Sequence, residues 1–178
     1  MNKIDGRSQE ILISREELAA KVKELGAKIT EDYKGKEILL VGILKGSVPF
    51  MADLMREIDL DLSIDFMSVS SYGSSTKSSG VVRIIKDLDT PIEGKDVIIV
   101  EDIIDTGLTL DYLKGYLSGR HPNSLKICTI LDKPSRRKVE IKGDYVGFEV
   151  EDKYIVGYGL DLDQRYRNLP YISWIKDR

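Results

Sequence analysis

The chain has 178 residues, of which 42% are hydrophobic and 32% charged, and its formal net charge at pH 7 is −3. This length and composition are typical of one globular domain with its own core, and two domains are not expected. The slight negative charge gives no general attraction to nucleic acid or to an anionic membrane, although a local basic patch could still bind one of them.

The N-terminal sequence and the cysteine content indicate the cellular compartment of the protein. The first ten residues contain no apolar signal-peptide core, and no apolar run approaches the roughly 20 residues that a membrane-spanning helix needs. The single cysteine, Cys128, cannot form an internal disulfide, and one histidine leaves no Cys/His zinc set. We therefore expect a cytoplasmic protein with no membrane segment, in which Cys128 is a buried strand residue.

The first predicted elements are a helix, a strand and a second helix. Ser14 and Glu17 form a capping-box pattern, and apolar residues at helical spacing follow, which predicts an amphipathic helix over about 15–33. The nearly continuous apolar run 37–44 predicts a strand that is covered on both faces. Pro49 lies near the start of the helical stretch that comes next.

The rest of the chain continues this alternation. In chain order it contains the predicted strands LSIDFMSVSSY, VVRIIK and DVIIVE, the helix LTLDYLKGYL, and the strands SLKICTIL, DYVGFEV and KYIVGYG. Strands that alternate with helices favour an α/β domain with a mainly parallel central sheet flanked by helices. The chain has no internal repeat and no linker, so we expect residues 1–178 to form a single domain.

Two loops that follow buried strands are candidates for a ligand site, because ligands bind beyond the carboxyl ends of parallel strands. They are LKGS and EDIIDTGLT. The small and hydroxyl residues from Asp105 to Thr109 could offer amides and hydroxyls to a phosphate. Glu101 and Asp102 are costly as neighbouring bare charges, so a cation or sugar hydroxyls would suit them. Two interpretations agree equally well with the spacing. In one, the loop is a sugar-phosphate site with Mg²⁺; in the other, Asp105 caps a helix and the two acids are solvated.

The segment VIIVEDIIDTGLTL, residues 97–110, closely resembles the phosphoribosyl-pyrophosphate-binding motif of type I phosphoribosyltransferases. Upstream, LLVGILKGSVPFMADL resembles the family's pyrophosphate-binding segment. Downstream, LDKPSRR, DKYIVGYGLD and RYRNLP resemble the purine-binding and closing segments of hypoxanthine (hypoxanthine-guanine) phosphoribosyltransferases. These segments follow the family's order over roughly residues 10–175.

The resemblance implies the type I phosphoribosyltransferase fold, with a small hood built from the N-terminal and C-terminal segments. It also implies a purine salvage enzyme. In that reaction a 6-oxopurine displaces pyrophosphate from carbon 1 of phosphoribosyl pyrophosphate, with Mg²⁺ required, and gives the nucleoside monophosphate. The family further suggests a homo-oligomer, either a dimer or a tetramer.

The resemblance assigns residues to the phosphoribosyl group. Glu101 and Asp102 match acids that hold the ribose hydroxyls, directly or through Mg²⁺, and Asp161 matches an acid near Mg²⁺ and the base. Asp105 matches the residue that accepts the proton from purine N7. The other predicted contacts are Asp105, Thr106, Gly107, Leu108 and Thr109 to the 5′-phosphate, and Lys45, Gly46 and Arg167 to pyrophosphate, with Arg165 as an adjacent alternative to Arg167. In the family, the segment that matches Leu44 to Ser47 often contains a cis peptide that does not involve proline.

For the purine, Lys133 matches a lysine that donates to the oxygen at position 6, which would select oxopurines over aminopurines. Tyr154 matches the aromatic residue that stacks on the ring, and the backbone of Ile155 matches a contact to the ring edge. Each residue also has a purely structural alternative. A lysine before a proline is usually solvent-facing, and an aromatic residue in a strand is usually part of the core.

The polar segment GSSTKSSG, residues 73–80, is poor in apolar side chains and is expected to be mobile. In the family, the matching loop, about residues 71–81 here, closes over the site with Ser71 and Tyr72 near its start. Closure would exclude water from a developing ribosyl cation.

Two other functions are compatible with the sequence. A domain of this fold could act as a nucleotide-sensing regulator that binds nucleic acid, although the only dense basic cluster is Arg136-Arg137-Lys138. An enzyme of the same fold could instead use xanthine, adenine or uracil. Lys133 together with Tyr154 favours an oxopurine.

Overall fold

The computed structural model describes residues 3–4, 7–71 and 82–176. The elements are β1 (Lys3–Ile4), β2 (Arg7–Ile13), α1 (Arg15–Asp32), β3 (Ile38–Leu44), α2 (Val48–Leu54), β4 (Leu62–Ser71), β5 (Val82–Lys86), β6 (Asp96–Ile104), α3 (Leu108–Ser118), β7 (Ser124–Asp132), β8 (Tyr145–Glu149), β9 (Ile155–Val156) and β10 (Ile172–Ile175). A short 3₁₀ helix spans Pro134–Arg136.

A six-stranded sheet in the order β5-β4-β3-β6-β7-β8 forms the centre of the fold. All neighbouring strands are parallel except the edge strand β5, which pairs with β4 in antiparallel orientation. The strands β3 and β6 lie side by side, with Gly42 opposite Val100. The predicted fold class, an α/β domain with a mainly parallel sheet, is confirmed.

Helix α1 begins where its capping box predicts. The Ser14 side chain accepts a hydrogen bond from the Glu17 amide, and the Glu17 carboxylate accepts one from the Ser14 amide. These bonds satisfy two donors that the first turn would otherwise leave free. The helix buries one face, formed by Leu18, Val22, Leu25, Gly26 and Ile29.

A second sheet, in the order β1-β2-β10-β9, joins the N-terminal and C-terminal segments in a hood. The predicted strand KYIVGYG is reduced to Ile155–Val156 in this sheet. The chain leaves the extended conformation at Gly157, Tyr158 and Gly159, whose φ angles are 98°, 48° and 103°. Strand β2 was not predicted, since its only partners are β1 and the distant β10.

Hydrophobic clusters cover both faces of the central sheet. One contains α1, α2 and the buried Cys128, and the other contains α3. Burial raises the pKa of the Cys128 thiol. Within the described part of the chain, no helix is long and apolar enough to span a membrane. Ser71 is the last residue of β4, while Tyr72 and the rest of the predicted lid, 73–81, lie outside the described residues.

Candidate functional site

The carboxyl ends of β3 and β6 bring the two predicted loops together. Strand β6 extends to Ile104, further than predicted, so Glu101 and Asp102 lie within the strand and not in the loop after it. A Cβ atom at Gly46 would overlap the Asp102 carboxylate, with Asp102 Cγ at 2.5 Å. Only glycine therefore fits beside this acid. The peptide bond between Leu44 and Lys45 is cis.

A cavity of about 280 Å³ opens at this point. It is lined by Ile43, Leu44, Gly46, Val69, Glu101, Asp102, Ile103, Ile104, Asp105, Thr106, Gly107, Thr109 and Leu110. The two predicted acids and most of the predicted phosphate-binding loop thus face one space. A loop that carries polar groups around such a space is suited to an anionic ligand.

Glu101 and Asp102 both have raised pKa values. Burial is the main cause for each, and the neighbouring Asp102 raises the pKa of Glu101 further. The positive charge of Arg167 partly offsets the rise for Asp102. Two acids that burial and mutual repulsion disfavour as anions would gain from a cation or from hydroxyl donors.

The loop from Asp105 to Thr109 leads directly into α3. The N-cap residue of α3 is Gly107, with φ 82°, and no side chain of the described residues caps the helix. The alternative in which Asp105 caps the helix is therefore wrong. Leu108 is the first helical residue, and its amide lies 3.5 Å from Thr106 Oγ1. The Leu108 amide thus donates a long hydrogen bond to Thr106, which an anion bound at the first turn can replace.

Asp105 is in contact with two arginines from the loop after β7. Arg136 Nε forms an ion pair with Asp105 Oδ1 at 2.9 Å. Arg137 donates to the Asp105 carbonyl oxygen at 2.7 Å and to the Asp132 carboxylate. Arg136 also lies 3.4 Å from Asp152 Oδ2. Arg137 thus holds the backbone of Asp105, and the partly exposed Arg136 pairs with its carboxylate.

Neither Lys133 nor Tyr154 has the solvent exposure that a purely structural role would predict. Lys133 is buried, at 7% exposure, and its ammonium donates to the Lys153 carbonyl at 2.7 Å. It is not solvent-facing. Tyr154 is 37% exposed and is not a core residue. Its hydroxyl donates to the Asp161 carbonyl at 3.4 Å, while Ile155 is buried in β9.

Arg167 belongs to a polar network outside the lining of this cavity. It donates to the Gly159 carbonyl at 2.7 Å and pairs with Asp161 Oδ1 at 2.9 Å. The Gln164 side-chain oxygen accepts from Arg167 at 3.2 Å and from Lys45 at 3.4 Å. The predicted pyrophosphate residues Lys45 and Arg167 are therefore joined through one amide oxygen.

No sequence pattern indicates a role at the site for two residues that the structure places there. Gln164 links Lys45, Arg167 and Asp161, yet a glutamine in a loop has no signal that would reveal this. Arg136 was noted only as part of a basic cluster. Its approach to Asp105 depends on how the loop after β7 folds over the loop after β6, which the sequence does not encode as a local pattern.

Comparisons with known proteins agree with this geometry. The model of the phosphoribosyl transferase domain matches residues 8–163. The chain is 60% identical over 168 residues to hypoxanthine-guanine phosphoribosyltransferase of Bacillus subtilis (strain 168), covering 94% of this chain and 93% of that protein. A crystal structure of a hypoxanthine phosphoribosyltransferase from Staphylococcus aureus superposes with a TM-score of 0.91 at 54% identity, covering 94% of this chain and 91% of that one.

A hypoxanthine-guanine phosphoribosyltransferase from Bacillus anthracis, solved with a HEPES molecule in its active site, gives a TM-score of 0.90 at 52% identity. The alignment covers 93% of this chain and 98% of that one. Both the sequence match and the structural match extend over nearly the whole chain. The chain belongs to the phosphoribosyl transferase family.

Proposed function

We propose that this protein is a purine salvage enzyme. It transfers the phosphoribosyl group from phosphoribosyl pyrophosphate to hypoxanthine and guanine, and it releases pyrophosphate. The observation that carries the proposal is the single cavity in which Glu101, Asp102 and the loop Asp105–Thr109 meet Gly46. The relatives named hypoxanthine-guanine phosphoribosyltransferase support the same activity.

In this proposal the purine N9 attacks carbon 1 of the ribose while the bond from that carbon to pyrophosphate breaks. Glu101 and Asp102 hold the ribose hydroxyls, and their negative charge stabilises the positive charge that develops on the sugar. Asp105 accepts the proton from N7. Because Arg136 lies 2.9 Å from the Asp105 carboxylate, the guanidinium has to move aside for the base, and Asp152 at 3.4 Å offers it a second partner.

The loop Asp105–Thr109 binds the 5′-phosphate through the first-turn amides of α3 and the hydroxyls of Thr106 and Thr109. Lys45, Gly46 and Arg167 bind the pyrophosphate. The planar guanidinium of Arg167 suits two phosphate oxygens at once. Its Nε is buried with no hydrogen-bond partner among the residues the structure describes. This N–H can therefore donate to a ligand oxygen.

Mg²⁺ fits the donor set at the cavity. Magnesium in such sites usually takes one or two carboxylates together with substrate oxygens, and Glu101 and Asp102 are two neighbouring carboxylates whose pKa values burial raises. When bound, the ion neutralises charge on the leaving pyrophosphate. Asp161 is the third predicted ligand. In the described chain no group of three His, Cys, Asp or Glu residues could hold a metal, and Asp161 pairs with Arg167.

The base pocket favours a 6-oxopurine. The Lys133 ammonium is buried and fixed by the Lys153 carbonyl, so it can donate to the oxygen at position 6 but cannot accept from an amino group. The ring of Tyr154 is 37% exposed and is assigned to stack on the base, and the backbone of Ile155 is next to it in the chain. We assign Ser71 and Tyr72 to the start of the loop, about residues 71–81, that closes over the site.

The nucleic-acid-binding alternative has less support. Arg136 pairs with Asp105 and Asp152, and Arg137 pairs with Asp132, so two members of the only dense basic cluster are already engaged by carboxylates. Such arginines give a weaker electrostatic surface for phosphates than free ones. Activity assays with xanthine, adenine and uracil test whether the enzyme uses another base.

A homo-oligomer, dimer or tetramer, is part of the proposal. The edge of the central sheet leaves Ile64 on β4 and Ile85 on β5 at 45% and 59% exposure, and Val48 at the start of α2 is 42% exposed. Single exposed apolar side chains also occur on monomeric proteins, so the support for this part is the family resemblance, and these residues are candidates for the contact. Sedimentation of the purified protein would measure the assembly, and a monomer at micromolar concentration would refute this part.

The activity is tested by mixing the purified protein with phosphoribosyl pyrophosphate and Mg²⁺ and adding hypoxanthine, guanine, xanthine, adenine or uracil separately. Base consumption and pyrophosphate release are followed. Activity with hypoxanthine that is lost with a chelator supports the proposal. A folded protein that binds phosphoribosyl pyrophosphate but uses none of the bases would favour the regulator.

A further inference from the structure

The segment Gly157–Gly159 has an unusual backbone. Its three consecutive residues have φ angles of 98°, 48° and 103°. Glycine adopts this left-handed region readily, but a bulky tyrosine does so rarely, because its Cβ crowds the following carbonyl oxygen. Tyr158 therefore adopts a conformation that the surrounding structure has to enforce, and such residues concentrate at functional sites.

The enforcing contact is a hydrogen bond to α2. The Tyr158 hydroxyl donates to Asp53 Oδ2 at 2.7 Å, and the Tyr158 side chain is 7% exposed. Burial, and after it the hydrogen bond to the Asp53 carboxylate, raise the pKa of Tyr158, so the hydroxyl keeps the proton that it donates. Asp53 belongs to the short helix that directly follows the loop Lys45–Gly46.

This bond connects the hood to the pyrophosphate loop. A Cβ atom at Gly159 would overlap the Gly46 carbonyl oxygen, so the two backbones are in direct contact. Gly159 also exchanges two hydrogen bonds with Arg167, one from its amide at 3.0 Å and one to its carbonyl at 2.7 Å. Tyr158 thus directly precedes the residue that contacts both Gly46 and Arg167.

We propose that Tyr158, held by Asp53, is a positioning residue for phosphoribosyl transfer, which fixes Gly159 against Gly46 and so keeps the two hydrogen bonds between Gly159 and Arg167 in place. This inference rests on the proposed function, since it assigns Gly46 and Arg167 to pyrophosphate. Tyr158 touches no substrate in this role. We expect it to act on phosphoribosyl pyrophosphate more than on the purine, because Gly46 and Arg167 are the residues assigned to pyrophosphate.

The test compares two buried tyrosines with the same bond. Tyr145 is 4% exposed, and its hydroxyl donates to Asp32 Oδ2 at 2.8 Å. Its partner lies at the end of α1, away from the cavity. Tyr158→Phe and Tyr145→Phe remove one equivalent hydrogen bond each and keep the ring, so a purely structural effect should be similar in both.

Titration calorimetry with phosphoribosyl pyrophosphate and Mg²⁺ gives the Kd, and steady-state kinetics give the KM for each substrate. We expect Tyr158→Phe to raise the Kd and KM for phosphoribosyl pyrophosphate about tenfold, equal to about 1.4 kcal/mol. The KM for hypoxanthine should stay within about twofold, less than the tenfold change expected for phosphoribosyl pyrophosphate. Tyr145→Phe should change neither constant, although both variants should melt at a lower temperature.

Asp53 provides the second arm, because its side chain is 49% exposed and its replacement leaves the core intact. Asp53→Ala should reproduce the effect of Tyr158→Phe, and the double variant should be no worse than either single one, since both remove the same bond. Asp53→Asn keeps an acceptor oxygen and should retain most of the wild-type affinity.

Additive effects in the double variant would overturn the proposal. So would a Tyr158→Phe protein that melts like Tyr145→Phe and binds phosphoribosyl pyrophosphate like the wild type, or one in which both KM values rise equally. Turnover of hypoxanthine by the wild type and by Tyr145→Phe reports separately on the proposed function. A wild type that binds no phosphoribosyl pyrophosphate would reject both.

Discussion

Replacement of Gly46 by alanine tests the central contact of the site. The added methyl group would overlap the Asp102 carboxylate, reaching 2.5 Å from Cγ and 3.3 Å from Oδ1. Because Asp102 is part of strand β6, and Gly46 also touches Gly159, neither side can move away freely. Either the loop or the carboxylate has to shift by an amount on the order of 1 Å, and a displacement of that size can cost about 10²-fold in rate.

We therefore expect Gly46→Ala to lower kcat/KM for phosphoribosyl pyrophosphate by about 10²-fold. Overpacking of this kind costs about 1–3 kcal/mol, which corresponds to a melting temperature lower by about 2–12 °C. Steady-state rates with hypoxanthine and a thermal melt measure the two effects. Gly46→Ala with wild-type kcat/KM would refute the contact between this loop and the acid.

The matched control is Gly115→Ala in the interior of α3. A Cβ atom there meets no heavy atom of the described residues within 4 Å. The same methyl group should raise stability by about 0.5–1 kcal/mol, because alanine is the better helix former, and should leave the rate unchanged. Loss of activity in both variants would point to a general sensitivity to this change and not to the loop.

Four further outcomes are expected. Asp105→Asn should lower the turnover number by about 10²–10⁴-fold while binding changes less, and an unchanged turnover number would remove Asp105 from the role of base. Lys133→Met should raise the KM for hypoxanthine at least about tenfold and abolish the preference for hypoxanthine over adenine, and a preserved preference would contradict its assignment to the 6-oxygen. Cys128 should not react with a thiol reagent at pH 8 in the folded protein, because burial raises its pKa and keeps the thiol protonated. Native labelling at the rate of the unfolded chain would contradict this. Deletion of residues 74–79 should raise hydrolysis of phosphoribosyl pyrophosphate relative to transfer, and an unaltered ratio would count against a lid.

Local patterns predicted most of the helices and buried strands. The capping box at Ser14 and Glu17 located the start of α1, and the apolar runs located β3 and β6, because a strand that is covered on both faces consists of apolar residues throughout. The pattern failed at KYIVGYG. There the strand ends after Val156, since Gly157 and Tyr158 adopt positive φ angles that a tertiary contact to Asp53 enforces.

The environments of the base-binding residues could not be predicted from residue type. Lysines are usually exposed, yet Lys133 is buried because a carbonyl oxygen of the neighbouring segment accepts from its ammonium. Tyrosines in strands are usually buried, yet Tyr154 remains 37% exposed at the end of the hood. In both cases the family resemblance predicted the role, and residue preference predicted the wrong environment.

The sequence by itself determined the chain order of the strands of the central sheet, the two loops of the candidate site and the family, because these depend on periodicity and on a contiguous motif. Only the tertiary structure decided which of these loops touch. Gly46 meets Asp102 because β3 and β6 are parallel neighbours, and Arg136 reaches Asp105 because β7 lies next to β6. Contacts of this kind join residues that are tens of positions apart, and their geometry follows from strand pairing and packing, which no local pattern specifies.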